Sequence, residues 1–169
     1  MLNIINNLKP FFEDCYRRIS VREYAKLINV SPPTASTILQ SLEKETLLLK
    51  EKDRNYLFFY ANKESKQFVD LSRIYWGDRL DNLVDYFSKT LVNPAIILFG
   101  SLSKAEVKED SDIDLVILAH KKSINLKNFE KQLKRKIQIF WFNSLAEIKD
   151  KELKNNILNG HILQGRVKE

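Results

Sequence analysis

Two aspartates one residue apart, Asp112 and Asp114, open the run Asp112-Ile113-Asp114-Leu115-Val116-Ile117-Leu118. Side chains alternate across a strand, so the two carboxylates of such a strand face the same way, with Cα atoms roughly 6.6 Å apart. That spacing suits a divalent cation held between two acids. Eleven positions before Asp112, the apolar run Ile96-Ile97-Leu98-Phe99 ends in Gly100-Ser101. Magnesium takes one or two carboxylates plus substrate phosphate oxygens, and a glycine beside a hydroxyl lets a backbone turn approach a phosphate closely. Strand, Gly-Ser turn, polar segment and acid-headed strand together predict a nucleotide-and-metal site.

The full string, Gly100-Ser101-Leu102-Ser103-Lys104-Ala105-Glu106 and then Asp110-Ser111-Asp112-Ile113-Asp114, resembles the signature of the minimal nucleotidyltransferases of the polymerase-beta-like superfamily. The resemblance covers about the last 75 residues. It implies that Gly100 and Ser101 contact the triphosphate of a bound nucleotide and that Asp112 and Asp114 hold Mg²⁺. It also implies nucleotidyl transfer, in which two metal ions about 4 Å apart stabilise the attacking and leaving oxygens of an in-line displacement.

Two departures accompany the resemblance. Lys104 and Ala105 stand where the family usually carries arginine and glycine. Lysine still brings positive charge to a phosphate, without the bidentate fork of arginine. The third carboxylate of active members sits on a following strand, here expected at Ile137–Phe142, and the corresponding position is Gln138. An amide accepts a hydrogen bond but is no base near neutral pH. Glu147 or Glu106 replaces it, or water or substrate takes the proton, or catalysis is weak or absent. Glu147 itself reads as part of a capping box, Ser144-Leu145-Ala146-Glu147, at a helix start.

The elements that must position these residues are legible on either side. Ser20-Val21-Arg22-Glu23 has the form of a capping box opening a short helix, Asn29-Val30 turns, and Ser31 caps a second helix with Pro32 at its first position. The apolar runs Leu47–Lys50 and Tyr56–Tyr60 flank a polar turn, Glu51–Asn55, and read as a β-hairpin. The stretch from about Leu2 to Ala61 resembles the winged helix-turn-helix domains of bacterial and archaeal transcription regulators. By that resemblance Thr34, Ser36, Thr37 and Gln40 face the major groove of DNA, while Lys50, Lys52 and Arg54 approach phosphates from the wing. A symmetric homodimer would double those phosphate contacts.

Between the two lies 63–91, where Phe68, Leu71, Ile74, Tyr75, Leu80, Leu83, Val84 and Phe87 recur at helical spacing. One long helix or two is expected, with Gly77 as the place for a break and Pro94 beyond its end. Further on, Lys151–Gly160 reads as a helix closed by glycine and His161–Gly165 as a last short strand. The expected architecture is α+β: a winged helix-turn-helix over 1–62, a helical connector over 63–93, and a small mixed-sheet nucleotidyltransferase-like domain over 94–169.

Composition is consistent with this. Ten basic residues against eight acids in 1–65, six against nine in 66–119, and twelve against five in 120–169 give +2, −3 and +7. The acidic segment is the one that carries the proposed metal acids, and the basic clusters Lys121-Lys122 and Lys131–Lys136 lie close in sequence to the two candidate active-site strands. They suit either a polyanionic substrate or the solvated side of an amphipathic helix. No run approaches the ~18 apolar residues of a membrane span, and the first residues lack a signal-peptide pattern. The lone cysteine, Cys15, permits no internal disulfide, so a cytoplasmic location is expected. Neither His120 nor His161 has zinc-ligand neighbours at the right spacing. The leading expectation is a Mg²⁺-dependent nucleotidyltransferase with an attached DNA-binding domain. The alternative is a DNA-binding regulator whose second domain only binds nucleotide or is inactive.

Overall fold

A computed structural model describes residues 2–167, except the Leu2 side chain. The chain divides into two compact units. The first takes in residues up to Tyr75 together with Ala105–Glu109, and the second Trp76–Lys104 and the residues from Asp110 onward.

In the first unit, α1 (Leu2–Glu13) is followed by β1 (Ile19–Ser20), α2 (Val21–Leu27), α3 (Pro32–Lys44) and the hairpin β2 (Leu48–Asp53) and β3 (Tyr56–Ala61). The caps form as their residue types require. Ser20 Oγ accepts the Glu23 N–H at 3.3 Å, and Ser31 Oγ accepts the Thr34 N–H at 3.3 Å with Pro32 opening α3. Asn29, in the turn between the two helices, is left-handed at φ 56°. The hairpin closes more tightly than its polar run suggests. β2 extends to Asp53, which pairs with Tyr56, so only Arg54 and Asn55 form the turn, with Arg54 at φ 53°. β1 adds to β3 to make an antiparallel sheet of order β1-β3-β2.

Phe11, Phe12, Ile19, Tyr24, Ala35, Leu39, Leu48, Phe59 and Phe68 are buried here. Phe12 and Phe68 stack 5.1 Å apart, and the buried Tyr24 hydroxyl donates to the Asn7 carbonyl at 2.8 Å. Each buried Phe, Ile or Leu among them contributes roughly 1.5–3 kcal/mol. An exposed ion pair such as Arg17–Glu23 gives 0–1 kcal/mol at about the median, so apolar packing holds this unit.

α4 (Lys66–Thr90) is a single helix. It runs through Gly77 without a break, and a Cβ there would lie 4.0 Å from the Leu163 side chain, an ordinary contact. Of the two alternatives, one long helix or two meeting at Gly77, the first holds, because the surrounding apolar positions keep one helical register across the glycine.

The rest of the second unit comprises β4 (Ala95–Phe99), α5 (Gly100–Lys104), β5 (Ile113–Leu118), α6 (Lys127–Leu133), β6 (Ile137–Phe142), a 3-10 turn (Leu145–Glu147), α7 (Lys151–Leu158) and β7 (His161–Gln164). The mixed sheet has the order β6-β5-β4-β7, with β5 and β6 parallel and the other pairs antiparallel. On one sheet face Ala95, Ile97, Phe99, Val116 and Leu118 form a core with Leu145, Ile148 and Ile157, against which Phe140 and Phe142 pack.

Gly160 follows the C-cap of α7, as expected, yet it is not in the left-handed region. A Cβ there would stand 2.7 Å from the Leu98 carbonyl and 2.8 Å from Ile97 Cγ2, so close approach to β4 is what calls for glycine.

Candidate functional site

β5 begins at Ile113, one residue later than the sequence suggested, so Asp112 ends the preceding loop and only Asp114 lies in the strand. Asp114 pairs with Phe99 of β4 on one side and with Gln138 of β6 on the other. Alternation then puts Asp114 on the face of Val116 and Leu118, and Gln138 beside it on the face of Phe140 and Phe142.

Gly100 ends β4 at φ +69°, a conformation that glycine adopts without steric cost. A Cβ at this position would collide with Asp114 Oδ2. The carboxylate therefore lies against the glycine backbone, and the turn and the acid are one packed feature. The Gly-Ser turn of the sequence is in fact the first turn of α5, with Ser103 Oγ donating to the Gly100 carbonyl at 2.9 Å. Ser101 is half-buried in the same turn. Lys104, at the exposed end of α5, donates to Asn156 Oδ1 of α7 at 2.9 Å.

Asp114 responds to its surroundings. Burial first, and the Asp112 charge second, push the Asp114 carboxyl above the usual carboxylate range. Gln138 donates its side-chain N–H to Asp112 Oδ2 at 2.8 Å, so the amide is in contact with the acid pair from the expected third position. A divalent cation fits this donor set: two neighbouring carboxylates, one held in an environment that penalises its charge. Among the described residues no cluster of three or more His, Cys, Asp or Glu side chains forms, so the remaining ligands would come from substrate and water.

Glu147 is held at a distance from this role by its own bonds. Its carboxylate accepts the Asn143 N–H and side-chain amide, both at 2.8 Å, and these bonds, aided by the His120 charge, hold it below its usual range. The expected capping box is incomplete, because Ser144 makes no side-chain cap bond and the helix is a single 3-10 turn.

Sequence reasoning missed Arg135. It lies within the basic run read as a charged patch, but only Lys131, Lys134 and Lys136 are exposed. Lys134 adopts φ 55° at the end of α6, which turns the chain and sends Arg135 inward. Its guanidinium donates to the Ser111 carbonyl at 2.7 Å and lies 5.1 Å from the centre of the Trp76 ring. Arg135 thereby clamps the residue before Asp112. The signal available was its place midway between the apolar Leu133 and Ile137, both of them buried.

In the first unit, Thr34, Thr37 and Gln40 are exposed on α3 and Ser36 is half-buried. The Thr37 hydroxyl donates to the Pro33 carbonyl, and the Gln40 amide to Ser36 Oγ. Lys50, Lys52 and Arg54 are exposed on the hairpin, where Lys50 pairs with Glu43 at 3.1 Å. Glu51 and Asp53 of the same strand face Arg18 at 3.3 and 3.8 Å.

The second unit is thus an α+β domain: a small mixed sheet with a carboxylate pair set against a left-handed glycine. The family model "Polymerase beta, Nucleotidyltransferase" matches residues 81–169, just over half of the sequence, and the chain belongs to that family. No curated protein and no solved structure matches it. No helix among the described residues is long and apolar enough to cross a membrane.

Proposed function

We propose that the chain binds a nucleoside triphosphate with Mg²⁺ and transfers its nucleoside monophosphate to a hydroxyl acceptor, and that its first 62 residues are a winged helix-turn-helix that engages DNA. The observation that carries the first part is the Asp114 carboxylate packed on Gly100 with Asp112 beside it. Asp112 and Asp114 would hold the metal, which when bound supplies positive charge at the reacting phosphate. Gly100 lets the backbone meet a phosphate oxygen, and the Ser101 hydroxyl adds a hydrogen bond. Lys104, one helical turn on, adds charge to the triphosphate. Gln138 orients Asp112 and takes no proton, so the acceptor's proton leaves to water or to a phosphate oxygen.

The DNA reading rests on the two capped helices α2 and α3 joined by a tight turn, on the hairpin after them, and on the exposure of the α3 residues. Wing acids paired with Arg18 leave sequence-independent phosphate contacts to Lys52 and Arg54 in the main.

The Gln138–Asp112 hydrogen bond supports a second reading, a DNA-binding regulator whose nucleotidyltransferase domain senses nucleotide without transferring it. Calorimetry with each nucleoside triphosphate, with and without Mg²⁺, on wild type and the Asp112→Asn, Asp114→Asn double variant tests the shared site. Metal-dependent binding lost in the variant is expected, and absence of binding to wild type would overturn both readings. Transfer of label from an α-phosphate-labelled triphosphate then separates them.

A further inference from the structure

β6 is an edge strand, and its outer side is built to pair. The ladder bonds Ile113 N–H to Lys136 C=O at 2.8 Å and Ala119 N–H to Phe142 C=O at 3.0 Å turn the even-numbered residues of β6 toward β5. By alternation, the main-chain groups of Ile137, Ile139 and Trp141 point outward. Glu130 Oε1 accepts the Ile137 N–H at 3.0 Å, which closes the start of the edge. Among the described residues, no bond from that side is formed by Ile139 or Trp141.

Proteins usually blunt such edges with charge, proline, glycine or a bulge. The opposite edge, β7, is only four residues long and pairs with a register shift at Ile96/Ile97. β6, with the sequence Ile-Gln-Ile-Phe-Trp-Phe, carries none of these devices over six residues.

We propose that β6 pairs antiparallel with β6 of a second copy of this chain, making one eight-stranded sheet across a two-fold axis. Two features select this occupant. Exposed Lys134 and Lys136 precede the strand and exposed Glu147 follows it, so an antiparallel copy sets the basic end of one strand toward the end of the other that leads to its acid, whereas a parallel copy sets basic end beside basic end. One register also satisfies the free groups without displacing Glu130. Ile139 pairs with Trp141 of the second copy and Trp141 with its Ile139, giving four main-chain hydrogen bonds, with the two Phe140 residues facing each other on the axis. In that register Gln138 lies opposite Phe142 of the second copy, which places an aromatic side chain from the neighbour beside the site of each subunit.

The register makes the test specific. Opposed residues of a non-hydrogen-bonded pair have Cα atoms about 4.5 Å apart, inside the disulfide range of about 4.4–6.8 Å, whereas diagonal residues lie roughly 7–8 Å apart. In a Cys15→Ser background, Phe140→Cys should give a disulfide-linked dimer on mild oxidation, and Ile139→Cys should not. Wild type should sediment as a dimer at micromolar concentration. Ile139→Pro should sediment as a monomer with its far-ultraviolet spectrum intact; if it fails to fold, the cysteine pair decides. A wild-type monomer at about 100 μM, or a dimer in which Phe140→Cys fails to link, would overturn the proposal. The same holds if Ile139→Cys links equally well, or if a folded Ile139→Pro variant stays dimeric.

Discussion

The Gln138 amide donates to Asp112 Oδ2 at 2.8 Å from the β6 position that pairs directly with Asp114. A carboxylate there could accept a proton, whereas the amide supplies one hydrogen bond to one carboxylate of the pair. Replacing Gln138 with Asp should therefore do two opposite things. It should lower the melting temperature without metal, because a third acid joins a pair that already raises the Asp114 pKa. It should raise the rate of label transfer by on the order of 10²-fold or more, the usual worth of a positioned general base. A wild type with no detectable transfer and an active Gln138→Asp variant would favour the nucleotide-sensing reading of the native chain.

Arg135 should link stability to nucleotide binding. Its bond to the Ser111 carbonyl and its place over Trp76 are together worth about 2–4 kcal/mol when buried. Arg135→Met should lower the melting temperature, and, measured well below it, should also weaken Mg²⁺-nucleotide binding, because Ser111 carries Asp112. Arg135→Lys keeps the charge and loses the planar fork, so it should fall between the two. Unchanged nucleotide affinity in a folded Arg135→Met protein would show that the clamp serves packing alone.

Asp114 and Glu147 should give pH dependences of opposite sign. The folded-state pKa of Asp114 is raised, so its favourable contribution is present below the unfolded carboxylate value and is lost as pH rises through the folded one. Asp114→Asn should thus stabilise the metal-free protein at pH 7, by less than about 1 kcal/mol since the group is half-exposed. The Glu147 pKa is lowered by the Asn143 bonds, so its contribution is present above the unfolded value and is lost as pH falls through the folded one. Glu147→Gln should flatten the acid limb of the stability profile below the ordinary carboxylate range. Melting curves from pH 2.5 to 7 check both, and a shared sign would refute the assignment.

Much of this was written locally in the sequence. Ser20 and Ser31 announce α2 and α3 because their caps are made by residues three positions on, and the apolar run Leu115–Leu118 announces β5. What escaped the sequence depends on partners far along the chain. The apolar spacing around Gly77 left one helix or two open, and nothing near Arg135 says that Trp76 and Ser111 wait to receive it. The hairpin turn looked longer than it is, since charged residues on exposed β2 resemble a loop until Asp53 is seen to pair with Tyr56. Of the candidate site, Gly100, Asp112, Asp114 and the amide of Gln138 stood out in the sequence, whereas the contact that fuses Gly100 with Asp114 required the sheet register.

Two glycines offer a contrast that separates site from scaffold. Gly160→Ala would press a methyl group against the Leu98 carbonyl, Ile97 and the Ile157 carbonyl, 2.7–2.9 Å away, with backbone on two sides that cannot rotate aside. A loss of roughly 1–3 kcal/mol is expected, as for other overpacked positions. Gly100→Ala meets a side chain instead, so Asp114 can swing away, and the left-handed φ of +69° adds about 1 kcal/mol of strain. The lost stability should be the smaller of the two, yet the displaced carboxylate should abolish metal-dependent nucleotide binding. Gly160→Ala, measured well below its melting temperature, should bind as wild type does. Calorimetry and thermal melts on the two variants therefore give opposite rankings if Gly100 exists to seat Asp114. The same ranking in both assays would mean that Gly100, like Gly160, serves the fold alone.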